Sequence, residues 1–142
     1  MMLIDANLLL YAHDAGTQFR GRAKHWLEAS MNRGDRIGLP WIAILAFLRI
    51  GTNVGLLRNP LSIAEAISAI SEWLAYTTVS IVHPTDRHWS ILSRLMTDSQ
   101  VRGRLVTDAH LAALAIEHGA TLCTTDRDFK RFEGLRVLNP LD

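Results

Sequence analysis

Five short apolar runs punctuate the chain: Met2 to Ile4, Ile37 to Leu39, Val79 to Val82, Leu122 to Thr124 and Leu135 to Leu138, with helical patterns between most of them. Runs of this kind suit strands, and strands alternating with helices predict a parallel sheet covered by helices. The clearest helix is LSIAEAISAISEWLAY. There Ile63, Ala66, Ile67, Ile70 and Leu74 recur at helical spacing, and Ser62 with Glu65 forms a capping-box signature. Thr17 is placed to cap a helix through about Asn32, with Phe19, Ala23, Leu27 and Met31 on one face and Gly34 as its stop. Thr85 is placed to cap another, carrying Trp89, Leu92 and Met96. The segment VTDAHLAALAIEHGAT predicts a helix from near Asp108 to His118, ended by Gly119. Thr97 to Arg104 reads as a polar loop. No repeat, low-complexity tract or linker interrupts the pattern, so one α/β domain over residues 1–142 is expected.

Fifteen Lys and Arg against fourteen Asp and Glu leave a net charge of +1, so no global field drives the chain onto nucleic acid or membrane. Contact with nucleic acid then has to come from local clustering. The single cysteine, Cys123, lies among strand residues and reads as a small buried hydrophobe. No apolar run approaches the roughly 20 residues of a membrane span, and MMLIDANLLLY lacks the basic leader of a signal peptide. A soluble, cytoplasmic protein is expected.

Most acids sit where helices have solvated faces, including Glu28, Glu65, Glu72 and Glu117. Four aspartates differ. Asp5 ends the first strand, Asp108 opens a helix, and Asp126 and Asp128 follow the strand from Leu122. In a parallel sheet, strand C-terminal ends and helix N-termini share one edge, so the four can converge on a ligand crevice. Like charges brought close oppose folding unless a cation joins them. Oxygen-only donors suit Mg²⁺, with Mn²⁺ as a substitute, and such an ion activates water against a phosphodiester. Taken singly, Asp108 fits a first-turn acid favourable to the helix dipole, and Asp126 and Asp128 fit Asx-type turns. Asp5 needs a partner whatever its role, because it directly follows a buried strand.

The stretches LIDANLLLYA, LPWIAILAFLRI, VTDAHLAALAIEHGATLCTTDRDFKRF and GLRVLNP resemble the PIN-domain ribonucleases, specifically the VapC toxins of bacterial toxin–antitoxin pairs. The resemblance spans nearly the whole chain and is most specific from Val106 to Phe132. It implies a PIN-like three-layer α/β/α fold with a central parallel sheet of about five strands, Mg²⁺-dependent endoribonuclease activity, a homodimer and a VapB-type antitoxin. It assigns metal binding to Asp5, Asp108 and Asp126, with Asp128 a neighbouring ligand candidate, and makes Asn7 the accompanying polar residue. Asp5, Asp108 and Asp126 are the implied catalytic residues. One position departs from the pattern: many PIN domains carry a glutamate where ILAFLRI has Ala46. Natural variation is the favoured explanation, deliberate replacement of the acid the other. Losing one carboxylate weakens a second metal more than the first, so one ion held mainly by Asp5 and Asp108 is expected.

RNA phosphates call for arginine, whose fork donates bidentate hydrogen bonds. Arg49, at the end of AFLR, is the first candidate, with an internal ion pair its rival, and Arg102 and Arg104 follow. Arg20, Arg22, Arg127 and Arg131 read first as solvated charges. The scattered histidines and lone cysteine offer no zinc set. His110 reads as a surface or core residue, and the tryptophans read as core or dimer packing before base stacking. Two other functions fit the same acids. A receiver- or phosphatase-like α/β domain would want a well-placed lysine, and the chain has only Lys24 and Lys130, neither after a core strand. A non-catalytic PIN-like module that binds RNA or a partner would fit Ala46.

Overall fold

The computed structural model describes residues 1–14 and 16–142. Among these, five strands form one parallel sheet: β1 (Met2–Ile4), β2 (Ile37–Pro40), β3 (Val79–Val82), β4 (Thr121–Cys123) and β5 (Arg136–Leu138). Their order is β3-β2-β1-β4-β5, with β1 central. The helices are α1 (Ala6–His13), α2 (Arg20–Asn32), α3 (Trp41–Gly51), α4 (Ile63–Ala75), α5 (His88–Asp98) and α6 (Leu105–Glu117).

Strand alternation divides the interior into two cores. Ile4, Ile37, Leu39, Val79 and Cys123 face α1 to α4, while Leu3, Val82 and Leu122 face α5 and α6. Helices therefore cover both faces, giving the expected three layers. Gly38 lies in mid-strand because its neighbours leave no room: a Cβ there would run into Val82 Cγ2 and meet Leu3 Cδ1 at 2.8 Å. Burial holds the Cys123 thiol near the top of its range, with a pKa pushed up to about 12, so it behaves as the inert hydrophobe expected.

The capping box of α4 forms as its sequence predicts. Glu65 N–H donates to Ser62 Oγ at 3.1 Å, and Ser62 N–H donates to Glu65 Oε1 at 2.9 Å. Two other expected caps fall short of their helices. Thr17 accepts from Phe19 N–H at 3.3 Å and Thr85 from Arg87 N–H at 3.2 Å, closing turns that precede α2 and α5. The cap positions themselves are Phe19 and Arg87, both already in helical conformation and without a side-chain cap. A turn that shares the helical backbone leaves no break for a hydroxyl to cap. Likewise α6 starts at Leu105, placing Asp108 within its first turn rather than at its opening.

Glu117 overturns its expected place on a solvated face: its side chain is 0% exposed. It accepts from Thr85 N–H at 2.8 Å and from His88 Nδ1 at 2.7 Å, and His88 Nε2 shares a hydrogen bond with His110 Nδ1 at 2.9 Å. This chain ties α5 to α6. His110 is accordingly a half-buried structural residue. The tryptophans divide. Trp73 is in the core and Trp26 packs against it, whereas Trp41 is half-exposed and Trp89 is 70% exposed.

Candidate active site

Strands β2 and β3 lie to one side of β1, and β4 and β5 to the other. The strand order thus reverses beside β1, and in open parallel sheets a crevice forms at the strand C-terminal ends at such a point. Asp5 leaves β1 there and Asp126 follows β4. Asp5 also begins α1: as its N-cap it accepts from Ala6 N–H at 2.7 Å, and its own N–H donates to Cys123 O at 3.0 Å. Strand, cap and helix meet at one carboxylate.

Thr124 organises the acids around it. This buried threonine donates its hydroxyl to Asp5 Oδ2 at 2.7 Å, and its Oγ1 accepts from Asn7 Nδ2 at 3.2 Å and from Asp126 N–H at 3.1 Å. Asp126 in turn caps the 3₁₀ turn over Arg127–Arg131 by accepting from Asp128 N–H at 2.8 Å. No role for Thr124 is expected from the spacing of motifs along the chain. A signal for it was nonetheless present, because a polar residue at the buried end of a strand needs partners.

A cavity of about 100 Å³ is walled by Asp5 and Asp108, with Ala46, Thr107, Ile42 and Leu111 completing the sides. Burial holds the Asp5 carboxyl above the usual carboxylate range, with a smaller push from the Asp126 charge, although the Thr124 and Ala6 hydrogen bonds oppose the rise. Asp108 is raised first by burial and then by the charges of Asp126, Asp5 and Asp128, with Arg104 pulling the other way. All four aspartates therefore share one electrostatic field. Asp128 stands at its rim, exposed, with Arg131 Nη2 3.8 Å from its Oδ1.

This donor set suits a hard divalent cation. The candidate donor atoms are oxygens, the acids destabilise one another, and Asn7 Oδ1 is buried without a hydrogen-bond partner, which leaves it able to accept from a water. Among the described residues, no three acids or imidazoles are close enough to grip one ion together. An ion here would take one or two carboxylates directly and reach the rest through water, which is how Mg²⁺ is commonly held. Ala46 lies in the cavity wall beside Asp5 and Asp108, so the expected acid is missing from the crevice itself. No lysine lines the cavity, unlike the arrangement a receiver-like site would want.

The cation whose charge acts on Asp108 is Arg104, at the N-cap of α6. Arg102 is exposed in the same loop. Arg49 is exposed near the end of α3, and among the described residues it makes no ion pair and does not shift either acid.

A family model described as PIN domain matches residues 2–135. The chain is 43% identical over 140 residues to Ribonuclease VapC37 of Mycobacterium tuberculosis, covering 99% of this chain and 97% of that protein. It is 38% identical over 141 residues to Ribonuclease VapC33 of the same species, covering 99% of both. In solved structures the fold is similar to VapBC2 from Rickettsia felis bound to a promoter DNA fragment, with a TM-score of 0.70, 19% identity and 97% of each chain covered. It is also similar to M. tuberculosis VapC20, described as a sarcin-ricin loop cleaving toxin, with a TM-score of 0.67, 19% identity and 96% and 99% covered. The switch-point aspartates, the three-layer fold, the PIN model over residues 2–135 and 43% identity over 99% of the chain to a named ribonuclease lead to one assignment: this chain belongs to the PIN-domain family, among its VapC ribonucleases.

Proposed function

We propose that the chain is a single PIN domain acting as the toxin of a VapBC-type pair: a Mg²⁺-dependent endoribonuclease that cleaves structured RNA, transfer RNA or a ribosomal RNA loop, in the cytoplasm. The observation that carries this reading is the shared cavity wall of Asp5 and Asp108, with Asp126 adding its charge to both. Asp5 and Asp108 are the principal ligands, and Asp126 or Asp128 acts through water. Mn²⁺ is the expected substitute. Bound metal would lower the pKa of a water and offset the charge that gathers on the attacked phosphate.

The chain's own residues supply orientation. The Ala6 N–H and the Thr124 hydroxyl fix both Asp5 oxygens, so that carboxylate is held before any ion arrives. Thr124 also fixes the Asp126 backbone, and Asn7 Oδ1 offers an acceptor to a water proton. Arg104, Arg102 and Arg49 are the proposed phosphate contacts. A VapB-type antitoxin and a homodimer complete the proposal. The Rickettsia VapBC2 complex and the FitAB complex bound to DNA, of similar fold, support an antitoxin partner. A binding module without catalysis is the weaker reading, since the relatives at 43% and 38% identity are named ribonucleases. The test is cleavage of structured RNA by purified protein with Mg²⁺ and with EDTA, repeated for Asp5→Ala and Asp108→Ala.

A further inference from the structure

Two cavities outside the Asp5–Asp108 crevice adjoin one another. One, of about 190 Å³, starts at Thr124 and Asp126 and reaches Lys130. The other, of about 280 Å³, ends at Tyr11 and Phe19. Their walls share Thr125, Arg127, Asn139 and Asp142, so they form one groove leading away from Asp126. Its composition changes along its length. Lys130 lies at the Asp126 end and Arg127 lines both cavities; both are exposed, and among the described residues neither is in an ion pair. At the far end the groove offers the half-buried rings of Tyr11 and Phe19, whose centroids are 5.3 Å apart at a 45° tilt. The Tyr11 hydroxyl makes no hydrogen bond among the described residues. In between, Asn139 uses its Oδ1 to accept from Leu141 N–H at 3.0 Å, which leaves its amide hydrogens to donate.

Cations beside a proposed catalytic acid, followed by polar donors and then an aromatic ledge, match a nucleotide strand part by part. Phosphates take the cations, a base edge takes Asn139 and the acceptor of Asp142, and the base face takes an aromatic ring. We propose that this groove is the subsite for single-stranded RNA flanking the cleaved bond: Arg127 and Lys130 bind backbone phosphate, and Tyr11, with Phe19 behind it, stacks on a base. The proposal rests on the ribonuclease reading and extends it, naming an unpaired segment next to the scissile phosphate as the part recognised. It also changes the status of Arg127 from a solvated charge to a substrate contact.

The test measures binding without cleavage, using Asp108→Asn protein in EDTA and a short labelled single-stranded RNA. Arg127→Gln and Lys130→Gln each weaken binding, and each flattens the slope of log affinity against log salt by about 0.7 for every phosphate it no longer holds. Tyr11→Leu weakens binding about tenfold with the salt dependence unchanged, as removal of one stacked base requires. Because Tyr11 also packs on the core, a fold-independent arm photocrosslinks 5-iodouridine RNA to the Tyr11 protein and maps the linked peptide. Linkage at Tyr11 or Phe19 is expected. Affinities within twofold across these variants, or crosslinks confined to the Arg102–Arg104 loop, overturn the subsite. So does loss of antitoxin binding with RNA affinity intact, which gives the groove to the antitoxin. Wild-type protein that neither binds nor cleaves RNA overturns the ribonuclease reading as well. Wild-type cleavage with KM unchanged in the groove variants overturns the subsite alone.

Discussion

Thr124 donates its hydroxyl to Asp5 Oδ2 at 2.7 Å, joining the end of β4 to the acid that leaves β1. The threonine oxygen also receives Asn7 and the Asp126 backbone, so one side chain holds three groups of the site. Thr124→Val keeps the shape and removes all three bonds. It should cost about 1–3 kcal/mol in urea unfolding, because buried polar partners are left unpaired. Without the bond that lowers the Asp5 pKa, the acid limb of the pH–rate profile should also move upward. Thr124→Ser should restore both. An unshifted pH profile in the valine variant would mean that Thr124 only supports the fold.

Asp108 carries a cost in the metal-free protein. Its carboxyl is raised above the ordinary 3.8 by burial and by three neighbouring acids, so the native state binds its proton more tightly than the unfolded chain does. Stability from this group is therefore fullest below the unfolded pKa and is lost as pH rises through the folded one. Asp108→Asn should melt higher than wild type in EDTA at neutral pH, an advantage that disappears in acid. Addition of Mg²⁺ should raise the wild-type melting temperature and leave the variant nearly unmoved. Scanning calorimetry at two pH values, with and without the ion, checks each part.

Ala46→Glu puts a carboxylate into the cavity wall beside Asp5 and Asp108. The added like charge should lower the metal-free melting temperature and enlarge the rise produced by Mg²⁺. RNA cleavage at limiting Mg²⁺ should increase. Unchanged metal response and activity would show that this position has no part in the site.

His13, the last residue of α1, packs edge-on to Phe47 and Trp73 at centroid distances of 5.7 and 5.4 Å. Burial depresses its pKa below 6.5, helped by Lys24 and Arg20 and opposed by Glu72 and Glu28. The unfolded chain takes up the proton first, so stability is full above 6.5 and falls as pH drops from there through the folded value. Burial and His88 depress His110 in the same direction. Denaturant midpoints between about pH 7.5 and about pH 5.5 should therefore decline, and His13→Phe should flatten part of that slope.

The sheet was legible because each strand coincides with a short apolar run and helical pattern separates most of them, and the α4 cap was legible because Ser62 and Glu65 satisfy each other locally. The starts of α2, α5 and α6 were not, since Phe19, Arg87 and Arg104 already have helical backbone at the cap and carry no capping side chain. Glu117 was misplaced because α6 is buried nearly all round, from Leu111 to Ala115, and such a helix has no polar face for periodicity to find. Around the site, the strand-end positions of Asp5 and Asp126 followed from the pattern. Thr124 did not, because its role depends on β1 and β4 lying side by side, which pairing creates and sequence spacing does not encode.

The central claim is that Asp5 and Asp108 serve a metal that cleaves RNA. Its most direct test is the single-turnover rate on structured RNA, for wild type, Asp5→Asn and Asp108→Asn, with circular dichroism confirming that all three are folded. Cleavage should require Mg²⁺ or Mn²⁺, vanish in EDTA, and fall by about 100-fold or more in each variant, as loss of several kcal/mol of transition-state stabilisation demands. Cleavage that persists in both folded variants, or that ignores EDTA, would contradict it.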